Sequence, residues 1–175
     1  MINKIEIRSS VPTDFPVIEE FYPMAFPEED LIPLLKELIE DASIVQSFVA
    51  IVNGAVVGHV SFTECKVDGK TDNLSLLGPL AVAPVYQKQG VGSALVRFGL
   101  ASLVKRGVSR VLVLGDPNYY GRFGFEIEKD VTPPYPLPEK WQSAWQSQDL
   151  IHIEQRLSGT LMVPKPWCER ALWEV

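Results

Sequence analysis

Leu76-Leu77-Gly78-Pro79-Leu80-Ala81-Val82-Ala83-Pro84-Val85-Tyr86-Gln87-Lys88-Gln89-Gly90-Val91-Gly92 reads as an apolar strand, a short connection through Pro84, and a glycine-rich opening into a helix. A helix N-terminus leaves four backbone N–H groups unpaired and carries partial positive charge, so this arrangement suits a phosphate or pyrophosphate. Gly90 and Gly92 keep side chains out of the way of such a ligand, and Lys88 adds a charge. Pro79 cannot donate to a sheet ladder, so pairing is expected to be interrupted near it. The backbone groups of Leu80, Ala81 and Val82 are then open to a second extended molecule.

Two other glycine signatures fail here. A dinucleotide fingerprint needs a third glycine where Leu95 stands, and a phosphate-binding loop of the Gly-Lys-Ser/Thr kind is absent. Taken locally, the glycines serve equally well as a plain turn from strand to helix. A second segment, Tyr119-Tyr120-Gly121-Arg122-Phe123-Gly124-Phe125, lies about 30 residues downstream, beyond a helix and a strand. The two together resemble the GCN5-related N-acetyltransferases, in which a Q/R-x-x-G-x-G/A signature after a bulged strand holds the pyrophosphate of acetyl-coenzyme A. Gln87, Gly90 and Gly92 match that signature, and Tyr119 to Phe125 is similar to the family's F/Y-Y-x-x-x-G-F segment. The compact wording from Gly115 to Phe125 resembles a bacterial branch described as YhbS-like predicted acetyltransferases.

The resemblance implies an acyl-CoA N-acyltransferase fold of the GNAT kind, α+β, with a mixed antiparallel and parallel sheet flanked by helices and one domain over residues 1–175. It implies acetyl-CoA as acyl donor and an amine as acceptor. The donor would lie on Leu80, Ala81 and Val82 of the strand and on Gln87, Lys88, Gln89, Gly90, Val91, Gly92 and Ser93 at the helix start. Tyr120 matches the family's tyrosine and is the candidate catalytic acid, with packing or orientation of the cofactor sulfur as its alternative role.

Composition agrees with a single ordinary domain: 175 residues, 46% hydrophobic and 22% charged. A net charge of −6 argues against general nucleic-acid binding. Cys65 and Cys168 form no CxxC pattern, so no metal is expected, and two free thiols fit a reducing cytosol. The start, MINKIEIRSS, has no apolar signal-like core, and no run of 18 apolar residues follows, so no membrane partner is expected and the location is read as cytoplasmic. The oligomeric state is open, with a homodimer among the candidates.

Along the chain, residues 2–8 alternate as a first strand and residues 9–14 offer caps for a helix through about Tyr22 with Pro16 in its first turn. A second helix begins after Pro27-Glu28-Glu29-Asp30, with Ile32, Leu35, Leu38 and Ile39 at helical spacing. In the family this helix pair lies over the acceptor side, which makes Phe21, Tyr22 and Phe26 candidates for a substrate wall or for core. Residues 47–52, Asn53-Gly54 and 55–65 spell a hairpin, and with the strand at 74–82 three consecutive antiparallel strands are expected. The helix over 91–106, ending at Gly107, shows two apolar stripes, Leu95-Phe98-Ser102 and Val96-Leu100-Val104, and is expected to be largely buried. Residues 111–114 then give a buried strand parallel to the one before the helix. Four prolines between Thr132 and Pro138 read as a surface loop, and late strands are expected at 150–154 and 160–163.

Acyl transfer to an amine needs a neutral amine, a polarised carbonyl and a protonated leaving thiol. A lysine-like amine of pKa about 10.4 lies roughly 3.4 units from neutrality at pH 7, about 4.6 kcal/mol, whereas an α-amino group near 8 needs only about 1.4 kcal/mol. His59, Glu64 and a water chain are all open as the base, His152 is read as facing solvent, and none is assigned. Two readings follow. One is an acetyl-CoA-dependent N-acetyltransferase with direct attack in a ternary complex, its acceptor a small molecule or peptide. The other is a non-catalytic acyl-CoA-binding sensor or interaction module.

Overall fold

A computed structural model of the chain describes residues 4–174, which group into two compact units. The first comprises the residues up to Phe62 together with Gly78–Ala101; the second comprises Thr63–Leu77 and the residues from Ser102 onward.

In the first unit, β1 (Glu6–Ser9) pairs antiparallel with β2 (Val45–Val52), from Glu6 opposite Ile51 to Ser9 opposite Phe48. The strand expected at 2–8 thus starts at Glu6, and positions 2 and 3 lie outside the described residues. Between these strands run α1 (Phe15–Ala25) and α2 (Ile32–Glu40), each with a proline in its first turn, where no N–H is required. α1 buries Ile18, Phe21 and Tyr22, and α2 buries Leu34, Leu35 and Leu38, both at the spacing of one helical face. Ile18, Leu35 and Leu38 are completely enclosed, which is worth about 2 kcal/mol for each side chain.

The hairpin from β2 to β3 (Ala55–Val67) turns on Asn53 and Gly54, at φ +50° and +79°, the left-handed pair a two-residue turn demands. β4 (Leu74–Val82) occupies the residues expected of it and leads to α3 (Val91–Lys105), which ends before Gly107 at φ +76°. Gly58 on β3 makes room for α3: a methyl there would lie 3.0 Å from both Val91 and Leu95 and 3.3 Å from the Ala81 carbonyl. The two-stripe reading of α3 needs correction. Leu95, Val96 and Leu103 are buried, but Phe98 and Val104 are 42% and 50% exposed, so α3 is half-covered rather than enclosed.

In the second unit, the first half of β4 pairs in parallel with β5 (Arg110–Leu114), from Leu74 opposite Arg110 to Leu77 opposite Val113. A helix between consecutive strands permits that parallel pairing. A short α4 (Pro117–Tyr120) follows, then β6 (Glu126–Ile127), β7 (Val131–Thr132), β8 (Trp145–Asp149) and β9 (Gly159–Met162). Hydrogen-bonded neighbours run β1-β2-β3-β4-β5-β8-β6, with β9 beside β3 and β7 beside β9, giving the mixed sheet and the α+β class expected.

The strand expected at 150–154 is not there; it lies at Trp145–Asp149, whose polar Trp-Gln-Ser-Gln-Asp sequence hides it. Those polar groups find partners inside. Gln146 Nε2 donates to the Gly115 carbonyl at 2.9 Å, and the Trp145 indole donates to the Val131 carbonyl at 2.8 Å. Arg110, also buried, is held by Glu128 at 2.9 Å and Asp149 at 2.8 Å. Among the described residues no helix is long and apolar enough to cross a membrane.

Candidate functional site

Helical hydrogen bonding in α3 starts with the Ala94 amide donating to the Gly90 carbonyl at 3.0 Å, so the amides of Val91, Gly92 and Ser93 have no acceptor within the helix. The loop before them alternates in handedness. Gln87 is extended at φ −68°, Lys88 is left-handed at +58°, and Gly90 is left-handed at +87°. Alternation of this kind turns successive N–H groups toward one side and forms an anion-binding concavity. Two glutamines hold that shape: Gln87 Nε2 donates to the Val82 carbonyl at 3.0 Å and Gln89 Nε2 to the Val85 carbonyl at 2.9 Å. Both side chains therefore brace the loop, and what positions 87–93 offer a ligand is main-chain N–H, together with the exposed Lys88 ammonium.

The end of β4 adds a second set of donors. The Ala83 amide bonds to the Val57 carbonyl of β3 at 2.8 Å. By strand alternation Ala81 also turns its backbone toward β3, whereas Leu80 and Val82 turn theirs away. The register with β5 ends at Leu77. With the Val82 carbonyl taken by Gln87, the outward donors are the Leu80 and Val82 amides.

His59, on β3, is completely buried and engaged at both nitrogens. Nδ1 lies 2.7 Å from the Tyr22 hydroxyl, and Nε2 lies 2.8 Å from Ser47 Oγ and 3.3 Å from Ser61 Oγ. Burial lowers its pKa to about 3, against a smaller opposing pull from Asp14. The imidazole is thus held neutral at physiological pH, enclosed and hydrogen-bonded at both nitrogens. Asp14 is itself held by Arg8 through bonds of 2.7 and 2.9 Å, which lower its carboxyl below the ordinary range. Phe21 and Tyr22 both belong to the core, and Tyr22 and Phe26 also border a cavity of about 290 Å³ together with residues 27–32.

The second unit carries the tyrosine segment. Asp116 caps α4 by accepting from the Asn118 amide at 2.9 Å, which turns the chain sharply and presents Tyr119 and Tyr120. Tyr120 packs edge-on against Tyr119 and Phe125, with ring centroids 5.0 and 5.7 Å away, and Arg122 covers the Tyr119 ring at 4.5 Å. Burial pushes the Tyr120 phenol above its ordinary value, so it stays protonated. Among the described residues its hydroxyl has no hydrogen-bond partner. Glu64 and His152 are both exposed. Cys65 and Cys168 are free, and burial raises Cys65 to about 12. The proline loop borders a cavity of about 740 Å³ with Tyr135 and Trp145 in its lining.

Three features escaped the sequence reading. The bracing roles of Gln87 and Gln89 depend on loop geometry that composition does not encode. The Tyr22–His59 bond joins residues 37 apart in sequence. Gly115 entered the sequence reading only as the first residue of the segment running to Phe125, and its place beneath Tyr120 joins positions that the sequence does not pair.

Residues 15–125 match the model of the acetyltransferase (GNAT) family. The chain is 38% identical over 140 residues to the uncharacterized N-acetyltransferase YjhQ of Escherichia coli, covering 76% of this chain and 77% of that one. It is 37% identical over 122 residues to the uncharacterized N-acetyltransferase YhbS of the same species, covering 69% and 73%. A crystal structure of YhbS from Escherichia coli in complex with CoA superposes with a TM-score of 0.84 at 30% identity over 97% of this chain and 94% of that one. A GNAT family acetyltransferase from Brucella melitensis in complex with acetyl-CoA gives 0.76 at 25% identity over 94% and 98%. With this family match over most of the chain, and relatives above 30% identity, the protein belongs to the GNAT family of acetyltransferases.

Proposed function

We propose that residues 1–175 act as one acetyltransferase domain that moves an acetyl group from acetyl-CoA to a primary amine of a small molecule or peptide by direct attack in a ternary complex. The observation that carries this reading is the run of main-chain donors at Val91, Gly92 and Ser93, braced by Gln87 and Gln89 and opening α3. Two similar GNAT structures were solved with CoA and acetyl-CoA, which supports the same ligand here.

The pyrophosphate would rest on the amides from Lys88 to Ser93, with the Lys88 ammonium beside it. The Leu80 and Val82 amides would bond the pantetheine arm and the thioester oxygen, stabilising charge as it develops on that oxygen. Tyr120 would give the departing sulfur a proton or a hydrogen bond. A thiol near 8.5 is at least about 1.5 units more acidic than a phenol, roughly 2 kcal/mol, so complete transfer to the thiolate would run uphill and the hydrogen bond is the larger part of that role. Cys65, buried with its thiol held protonated, is unsuited to carry an acetyl group and does not compete with direct attack. The cavity lined by Tyr22 and Phe26 is the proposed acceptor side.

Calorimetric titration with acetyl-CoA and with CoA, followed by thiol release against a panel of amines, tests this directly. Binding of both nucleotides and thiol release dependent on one class of amine is the expected result. Absence of nucleotide binding would overturn the assignment, and binding with no release across the panel would turn the reading to an acyl-CoA sensor.

A further inference from the structure

We infer that His59 is a positioning residue for the acceptor, acting through the Tyr22 hydroxyl to fix the inner wall of the cavity between α1 and α2. This rests on the proposed transferase reading and adds to it a residue that does not touch the reacting groups.

Pro23 lies inside α1 and has no N–H to give to the turn before it, so the helical ladder lacks one bond beside Tyr22. The Phe26 amide donates to the Tyr22 carbonyl at 2.8 Å and closes the helix at its C-terminal end. Tyr22 sits next to the interruption at Pro23 and borders the cavity. The hydroxyl is tied to His59 Nδ1 at 2.7 Å, and the ring lies 5.7 Å from Phe21, 5.9 Å from Phe26 and 5.7 Å from His59.

His59 is fixed in turn. Ser47 on β2 and Ser61 on β3 both face its Nε2, and Ser10 Oγ donates to Ser47 Oγ at 2.7 Å. A neutral imidazole has one donor and one acceptor nitrogen, so bonds at both sides set its ring plane and tautomer together. The chain Ser10–Ser47–His59–Tyr22 thus carries the geometry of the β1–β2–β3 sheet to the wall of the cavity. An apolar residue at position 59 would fill the same space and leave the Tyr22 hydroxyl without this partner. The buried polar chain selects one placement of the ring where apolar packing would allow several. Phe26, Glu28 and Leu31 complete the same cavity, so a shift of the Tyr22 ring changes the space an amine enters.

The test compares wild type with Tyr22→Phe, His59→Gln and the double variant. Tyr22→Phe keeps the ring and removes only the hydroxyl, so it is the variant least exposed to misfolding, and thermal midpoints are recorded for all four proteins. The expected result is a rise in KM for the amine of about fivefold in each single variant, the factor that loss of one buried hydrogen bond carries. The double variant should be no worse than the weaker single one, because the two side chains act as a unit. The calorimetric Kd for acetyl-CoA should stay within about twofold of wild type by the same reasoning. A role limited to folding would lower the midpoint and the active fraction and leave KM for the amine in place; that outcome, or additive losses in the double variant, overturns the inference. If wild type binds acetyl-CoA and turns over while the variants keep their amine KM, the inference alone falls. If wild type releases no thiol with any amine, the transferase reading falls first and takes the inference with it.

Discussion

The Tyr120 ring is seated on the bare Cα of Gly115: a methyl group at position 115 would lie 2.4 Å from Tyr120 Cε2 and 2.9 Å from its Cδ2. The glycine cannot retreat, because its amide donates to the Ala144 carbonyl at 3.0 Å and its carbonyl accepts from Gln146 Nε2 at 2.9 Å. In Gly115→Ala the ring must therefore move. Misplacement of a reacting group by about 1 Å costs on the order of a hundredfold in rate, so under the role proposed for Tyr120 kcat should fall by roughly tenfold to a hundredfold. Calorimetric affinity for acetyl-CoA should change little. A Gly115→Ala enzyme with wild-type kcat would show that Tyr120 need not sit where it does.

At Gly90 the constraint is backbone rather than space. A methyl group there would meet nothing within 4 Å, yet φ is +87°. Gly90→Ala therefore costs about 1–2 kcal/mol through left-handed strain alone. The chain can escape the strain by flattening the loop, which breaks the concavity of N–H groups. The expected consequence is a Kd for CoA weakened by about tenfold. Gln87→Ala removes the brace on the Val82 carbonyl and should weaken Kd by a smaller factor, about fivefold, as for one neutral hydrogen bond. Titration of both variants with CoA checks the order; a Gln87→Ala effect larger than that of Gly90→Ala would assign Gln87 a direct contact with the ligand.

Acid should destabilise the protein earlier than its carboxylates alone would. His59 has a folded pKa of about 3 against an ordinary 6.5. Between those values the unfolded chain holds a proton at this site that the folded chain does not, so stability falls as pH drops from 6.5 toward 3. The slope from this group is at most about 1.4 kcal/mol per pH unit. Asp14, whose carboxyl is lowered first by its bond to Arg8, acts in the same direction: its contribution is fully present above the unfolded carboxylate range and is lost as pH falls from there through its lowered folded pKa. Urea midpoints measured from pH 7 to pH 4 should decline steadily, and His59→Gln should flatten the part above pH 5. An unchanged slope in that variant would mean that His59 does not titrate on unfolding.

Local chemistry made the first of these sites legible and left the others hidden. The bounds of β4, the Asn53-Gly54 turn and the start of α3 follow from residues that sit beside one another, where proline, glycine and apolar runs act directly on the backbone. β8 was missed because its Gln146 and Gln148 read as surface while the strand is hydrogen-bonded to β5 on one edge and β6 on the other. Phe98 misled in the opposite direction: it looks like core, yet it is part-exposed against Phe48, with their ring centroids 5.2 Å apart. His59 stood in the sequence as a candidate base, and its enclosure by Tyr22, Ser47 and Ser61, drawn from α1, β2 and β3, joins residues too far apart in the chain for the sequence to show.

Gly99 offers a test of packing that helix propensity alone would get wrong. Within a helix interior, replacing glycine by alanine is ordinarily favourable by about 1 kcal/mol. Here the new methyl would lie 2.1 Å from Phe62 Cε2 and 2.2 Å from its Cζ, inside the ring's own volume. Phe62 is fully buried on β3, with Phe48 edge-on at 6.2 Å, so it has little room to turn aside. Overpacking of this kind costs about 1–3 kcal/mol and can cost more, which outweighs the propensity gain. Gly99→Ala should therefore lower the thermal midpoint by several degrees, at about 2–4 °C per kcal/mol for a domain of this size. Adding Phe62→Leu removes the ring atoms in conflict and should recover part of the loss, although Phe62→Leu alone is destabilising. That reversal of sign identifies the steric notch as the reason for glycine at this position; additive losses in the double variant would point instead to a backbone requirement at position 99.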